Sequence, residues 1–187
     1  MSMTQMLLGF DGRIRRRDWW LWGIGVIVLA WILQSVASAA LGVNFLSSVG
    51  GQVDVSTLRN ASIASTVIGL LFIWPVSALS VKRAHDRDMS AWSVLPFYGL
   101  YAILAISSSV LGVNAAAAGL TDGRSAAPSE VMEMFGAGGM LVGVLAIGVL
   151  VYALFLLVVL GFLDGTPGQN EYGPSPKGLG SGMETFA

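Results

Sequence analysis

MFGAGGMLVGVLAIGVLVYALFLLVVLGFL, residues 134–163, contains no charged side chain. A helix crossing the hydrocarbon core of a bilayer needs about 20 apolar residues. This stretch exceeds that length, and its continuity argues for helix, because barrel strands show alternating segments of about ten residues. Three further stretches are equally free of charge: Trp19–Val53, Asn60–Val81 and Met89–Thr121. The sequence therefore predicts an all-α polytopic membrane protein, a bundle of four transmembrane helices near 19–42, 61–81, 92–112 and 138–162.

Composition agrees. Of 187 residues 55% are hydrophobic and only 11% charged, whereas soluble domains carry about 25% charged residues. The net charge of −1 gives no reason to expect a nucleic-acid partner. The chain has no cysteine, which excludes disulfides, thiolate metal sites and cysteine nucleophiles. No phosphate-binding Gly-rich loop and no zinc-helix pair is present. No cofactor is expected, and no metal, since a lone histidine lacks further ligands.

The basic residues orient the bundle. Arg13, Arg15, Arg16 and Arg17 precede the first helix. Lys82, Arg83 and Arg87 lie between the second and third, and Lys177 follows the fourth. Arg59 and Arg124 alone lie in the two other loops. Eight against two is the positive-inside pattern, with both termini cytoplasmic. The expected organisation is a cytoplasmic segment 1–18, a four-helix membrane domain 19–163 and a cytoplasmic Gly/Pro-rich tail 164–187. Trp19, Trp20, Trp22 and Trp92 suit the headgroup region, and Met1–Phe10 has the pattern of a short amphipathic turn. Residues 43–60 and 113–136 read as outer loops, with a short helix after Pro128. An alternative reading of the amino end is a signal peptide, with Ala37-Ser38-Ala39 at its cleavage site; its apolar run is longer than an ordinary h-region.

Three clusters remain. The first is Gly12-Arg13-Ile14-Arg15-Arg16-Arg17-Asp18-Trp19-Trp20. Its cations anchor a helix end at an anionic leaflet, and Gly12 marks a turn. The second, Lys82-Arg83-Ala84-His85-Asp86-Arg87-Asp88-Met89-Ser90-Ala91-Trp92, holds the chain's one histidine. If it extends the second helix, Lys82 and Asp86 share a face, as do Arg83 and Arg87. His85 then serves as a hydrogen-bond hub for Asp86 or as a proton acceptor. A structural polar network is the favoured reading over chemistry. The third is Gly165-Thr166-Pro167-Gly168-Gln169-Asn170-Glu171-Tyr172-Gly173-Pro174-Ser175-Pro176. Its glycines and prolines dictate turns: either a tail without regular structure or, given Asn170 and Tyr172, an ordered loop that docks. Pro75 and Pro96 are expected to kink the second and third helices. Gly139 and Gly143 form a small-residue pair for helix packing, within the bundle or between subunits.

These three clusters together resemble the bacterial inner-membrane proteins of domain-of-unknown-function family 805, the YhaH type. Gly12, Arg13, Arg16, Asp18 and Trp20 match the family's first motif. Lys82, Arg83, His85, Asp86, Ser90, Trp92 and Pro96 match the second. Gly165, Thr166, Pro167, Gly168, Asn170, Tyr172, Gly173, Pro174 and Pro176 match the third. The match runs from about residue 8 to 177. Ala84 and Ala91 replace a usual Leu and Gly, while Asp88 and Met89 replace a common Gly and basic residue. The resemblance implies a multi-pass inner-membrane protein and supplies no biochemical activity.

No acidic or basic side chain lies inside an expected span, and Gln34 is the main strongly polar group there. Ion-coupled transporters usually place ionisable groups at mid-membrane. The leading expectation is thus a non-enzymatic membrane protein. Its cytoplasmic-face motifs would form one unit binding an anionic lipid headgroup or a protein partner; membrane lipids and a homo-oligomer are the other partners considered. A small oligomeric transporter or channel is the alternative, and a lipid-acting membrane enzyme using His85 and Asp86 comes third.

Overall fold

The computed structural model describes residues 2–43, 55–122 and 128–178. The expected outer loops fall partly outside them, as does the end of the tail. The regular elements among the described residues are all helical, with no strand. Helix α1 spans Met3–Leu8, α2 Arg16–Ala40, α3 Val55–His85, α4 Leu95–Asp122 and α5 Pro128–Leu156. A 3₁₀ turn covers Ala91–Ser93, and a π-helical stretch, Leu157–Phe162, continues α5. Residues 113–122, expected in an outer loop, are therefore helical backbone in α4.

Local chemistry explains the ends. Ser2 and Gln5 form a reciprocal capping box on α1, which supplies two orphan amide donors with acceptors. The end of α3 is a Schellman closure: Met89 N–H reaches Ala84 O at 3.0 Å and Asp88 N–H reaches His85 O at 3.1 Å. That closure requires a left-handed residue, and Asp88 takes it with φ +60°. Pro96 stands in the first turn of α4, where its missing N–H would be unsatisfied anyway. The expected kink there is therefore not required. Pro75 does sit inside α3. In α5 the backbone leaves helical geometry at Gly136, φ +47°, so the segment starting at Pro128 is distinct from the apolar helix after it.

Among the described residues three helical stretches are long and apolar enough to cross a membrane: Arg16–Ala40, Arg59–His85 and Gly138–Phe162. The fourth apolar stretch, Leu95–Leu111, is shorter. Their outward faces carry large apolar side chains, among them Trp31 (69% exposed), Leu71 (68%) and Leu141 (71%). Water would make such faces costly; hydrocarbon does not.

The chain divides into two compact units. One comprises Met1–Val28, Phe72–Gly99 and Val151–Ala187. Its interior inverts the usual order, because its two largest fully buried side chains are Arg83 and Lys82. Apolar packing surrounds them. Val81, Ala84, Val94, Leu156, Val159 and Leu160 form one cluster, and Ile14, Val26 and Leu79 a second that receives Met6 and Leu7 from α1. The other unit comprises Leu29–Leu71 and Leu100–Leu150. Its helices are joined by hydroxyl contacts, Ser62 to Ser109 at 2.6 Å and Gln34 to Ser65. At Gly143 an added Cβ would meet nothing within 4 Å, so no neighbour among the described residues demands a glycine there.

Candidate functional site

The three sequence clusters converge in the first unit, around one carboxylate. Asp86 follows the last residue of α3. Its Oδ1 accepts from Arg13 Nε at 3.1 Å and Nη2 at 3.0 Å, and its Oδ2 accepts from Arg83 Nη1. The side chains of this triad are 1–3% exposed. Arg13 is brought there by Gly12, whose φ of +90° turns the chain in a region that disfavours side chains.

Arg13 continues into the tail. Nη1 donates to Gly168 O at 2.8 Å and Gly173 O at 3.0 Å, and Nη2 to Thr166 O at 2.8 Å. An arginine has five N–H donors in a fixed fork. With Asp86 and these carbonyls, all five have protein acceptors. The tail is thus wrapped around a guanidinium, which explains why a Gly/Pro-rich segment is ordered without helix or strand. An isolated bridge pairs Asn170 with Gly173.

Further bonds pin the loop to the end of α3. Thr166 N–H donates to Asp86 O at 2.8 Å and Asn170 Nδ2 to His85 O at 2.8 Å. Tyr172 stacks on His85, ring centroids 3.8 Å apart and planes within 3°. The other face of the arrangement admits no side chain at Gly165: an added Cβ would overlap Asp86 Oδ2 and lie 2.8 Å from Asp86 O. His85 Nδ1 lies 3.3 Å from Gly12 O. A carbonyl only accepts, so this contact places the proton on Nδ1. His85 is therefore a clamp between Gly12 and Tyr172. It is not the expected hub for Asp86, whose two oxygens are taken by guanidinium groups.

A second set of contacts closes the end of α5 and its π-helical continuation. The last carbonyls of a helix lack partners and carry partial negative charge. Here successive ones receive distant donors: Val159 O from Arg87 at 3.1 Å, Leu160 O from Arg83 Nε at 2.8 Å, Gly161 O from Trp20 at 3.1 Å, Phe162 O from Arg16 at 2.9 Å and Leu163 O from Arg83 Nη2. Cations at a helix C-terminus are favoured by charge as well as by hydrogen bonding. Trp20 lies against Gly161, whose added Cβ would stand 3.0 Å from its Cζ2.

Lys82 does not pair with Asp86, although four residues separate them. Its Nζ donates to Met6 O at 2.8 Å and to Gly9 O. It therefore ties down the segment after α1, which Trp74 also holds through Leu8 O at 3.2 Å and an edge contact with Phe10.

Outside this core, Arg16 is half exposed and reaches Asp164 at 3.9 Å, which Lys177 contacts at 3.2 Å. The Lys177 hydrogen bond holds the Asp164 carboxyl below the usual carboxylate range, with Arg16 adding to it. Arg15 donates to Pro176 O. Arg17 is exposed. Trp92 is 78% exposed, and Ser90 makes no side-chain cap, so neither joins the triad. Pro167 and Pro174 shape the loop from its exposed side. The groups that sequence reasoning passed over are mostly backbone carbonyls, which carry no residue signature, together with Arg87 as a carbonyl donor and the double role of Thr166.

A profile of the family described as "Protein of unknown function (DUF805)" matches residues 7–174, which include every residue of the Asp86 network. The chain belongs to this family. It is 32% identical over 177 residues to the uncharacterised protein YiiR of Escherichia coli (strain K12), covering 92% of this chain and 89% of that protein. It is 30% identical over 108 residues to the inner membrane protein YhaH of the same strain, covering 56% of this chain and 78% of YhaH. The inner membrane protein YhaI is 27% identical over 108 residues. No solved structure matches. The resemblance read from the three motifs is thus a family relationship over nearly the whole chain, and the apolar helices mark a membrane protein.

Proposed function

We propose that this DUF805 chain is a non-enzymatic, multi-pass inner-membrane protein that crosses four times with both termini in the cytoplasm. Its ordered cytoplasmic unit binds anionic lipid headgroups through a rim of exposed arginines. The eight-to-two distribution of basic residues supports the topology. So does α4, whose helical backbone runs on to Asp122 beyond its apolar core.

One observation carries the binding reading: the arginines of the motif divide into two groups. Arg13 has every donor engaged by Asp86 and tail carbonyls, so it holds the unit together and offers nothing to a ligand. Arg15, Arg16 and Arg17 are exposed at the start of α2. Lipid attraction therefore falls to the rim, at about 1 kcal/mol per cation near an anionic surface. A saturated carboxylate also supports the non-enzymatic reading, because both oxygens of Asp86 are held by guanidinium groups and it is not placed to exchange a proton with a substrate.

The test is retention of phosphatidylglycerol against phosphatidylcholine by the purified protein, read by native mass spectrometry. Replacing Arg15 and Arg17 by Gln removes two rim cations, about 2 kcal/mol, and lowers the preference roughly 30-fold. Equal preference in wild type and variant refutes the rim. For topology, Glu171→Cys supplies the chain's single thiol, since the sequence has none. Labelling of that thiol in intact spheroplasts by an impermeant reagent refutes a cytoplasmic tail.

A further inference from the structure

The second unit holds a feature that the rim and the Asp86 network do not use. Between α3 and α4 lies an open cavity of about 440 Å³, lined by Ser62, Ser65, Thr66, Tyr101, Ser108 and Ser109 among others. Small-molecule sites typically occupy about 300–1,000 Å³. The lining residues recur at helical spacing on both helices, so two hydroxyl-bearing stripes face one space. These stripes fall within the apolar stretches Arg59–His85 and Leu95–Leu111, where polar side chains would otherwise be a penalty.

We infer that this cavity binds a neutral, hydroxyl-rich molecule, a polyol or the polyol head of an uncharged lipid. No charged residue lines it, and an ion buried at membrane depth without a partner is costly. The hydroxyls have spent donors more than acceptors. Thr66 donates to Ser62 O at 2.9 Å and Ser108 to Ala105 O at 3.1 Å, while Ser65 receives the Gln34 amide. Each hydroxyl has one donor and two lone pairs, so the cavity is rich in acceptors and suits a ligand that brings O–H donors. At Gly69, also in the lining, an added Cβ meets nothing within 4 Å. The glycine leaves room in the cavity, and no neighbour forbids filling it.

The absence of cysteine makes the test direct. Ser65→Cys and, as a lipid-facing control, Leu71→Cys are each reconstituted in phosphatidylcholine nanodiscs and reacted with methyl methanethiosulfonate. A thiol in hydrocarbon stays protonated, and each unit of upward pKa shift cuts its thiolate tenfold, so the Ser65→Cys variant is expected to react at least about tenfold faster than the Leu71→Cys control. Glycerol, erythritol or sorbitol should slow the cavity thiol and leave the control unchanged. Protection by dioleoylglycerol in the nanodisc, but not by the free polyols, assigns the ligand to a lipid. Adding Gly69→Leu should abolish the protection while keeping the helical spectrum. Should Ser65→Cys fail to fold, Ser108→Cys replaces it, since the Ser108 hydroxyl donates within its own helix, to Ala105 O. Equal rates in the two variants overturn the inference, and so does a fast cavity thiol that neither the polyols nor dioleoylglycerol protects.

Discussion

Replacing Asp86 by Asn tests whether the first unit rests on its buried charge. The change keeps the side chain's shape and one carbonyl acceptor but removes the negative charge. Two guanidinium groups, each 1% exposed, would then lie buried without a counter-charge. Removing one partner of a buried ion pair costs about 3–5 kcal/mol. For a chain of this length each kcal/mol lowers Tm by about 2–4 °C, so a drop of about 6–20 °C is expected. Thermal unfolding in nanodiscs, followed by helical circular dichroism, is the assay. A loss below about 1 kcal/mol refutes the reasoning, because that is the scale of an exposed pair. Replacing the whole triad with apolar residues should not restore stability, although such swaps often do elsewhere. Arg13 also satisfies the carbonyls of Thr166, Gly168 and Gly173, and an apolar substitute would leave all three without it.

Gly165→Ala should release the tail, because its Cβ collides with Asp86 side chain and backbone at once. Undocking the charge-assisted bonds of Arg13, each worth about 1.5–3 kcal/mol, should speed chymotrypsin cleavage at Tyr172 at least about tenfold, and an unchanged rate refutes the close approach. Asp88→Gly should stabilise the chain by about 0.5–1 kcal/mol, since a left-handed residue then loses its Cβ penalty; a lower Tm would count against the Schellman closure at the end of α3.

Much of the fold was legible in the sequence, and for an identifiable reason. Hydrocarbon demands long uncharged helices, and that demand is written as composition and length, so the four charge-free windows are visible without tertiary information. Three of them correspond to helices long enough to cross. The window at Met89–Thr121 shows the limit, since its first residues fold as a turn and a 3₁₀ segment, and α4 begins only at Leu95. Freedom from charge does not reveal where a helix starts.

The site was legible in part. Its motif residues stood out because a membrane loop needs cations but not a histidine beside aspartates, nor a tail of alternating Gly and Pro. Helical spacing, however, pointed Lys82 toward Asp86 and His85 into the same network. In the structure Asp86 takes Arg13 from 73 residues away, Lys82 turns to Met6 and Gly9, and His85 stacks on Tyr172. Spacing along one helix cannot foresee a competitor from another segment, and a planar two-donor arginine outcompetes a lysine for a carboxylate.

The sequence by itself determined the medium, the helical class and the three motifs, because these depend on local chemistry and on length. Only tertiary structure decided that Arg13 is saturated and Arg16 outward, and that the tail folds around a guanidinium. It alone capped the carbonyls from Val159 to Leu163 with donors from α2 and the end of α3. Those outcomes turn on which backbone groups reach which side chains in space, and backbone carbonyls are identical at every position of a sequence.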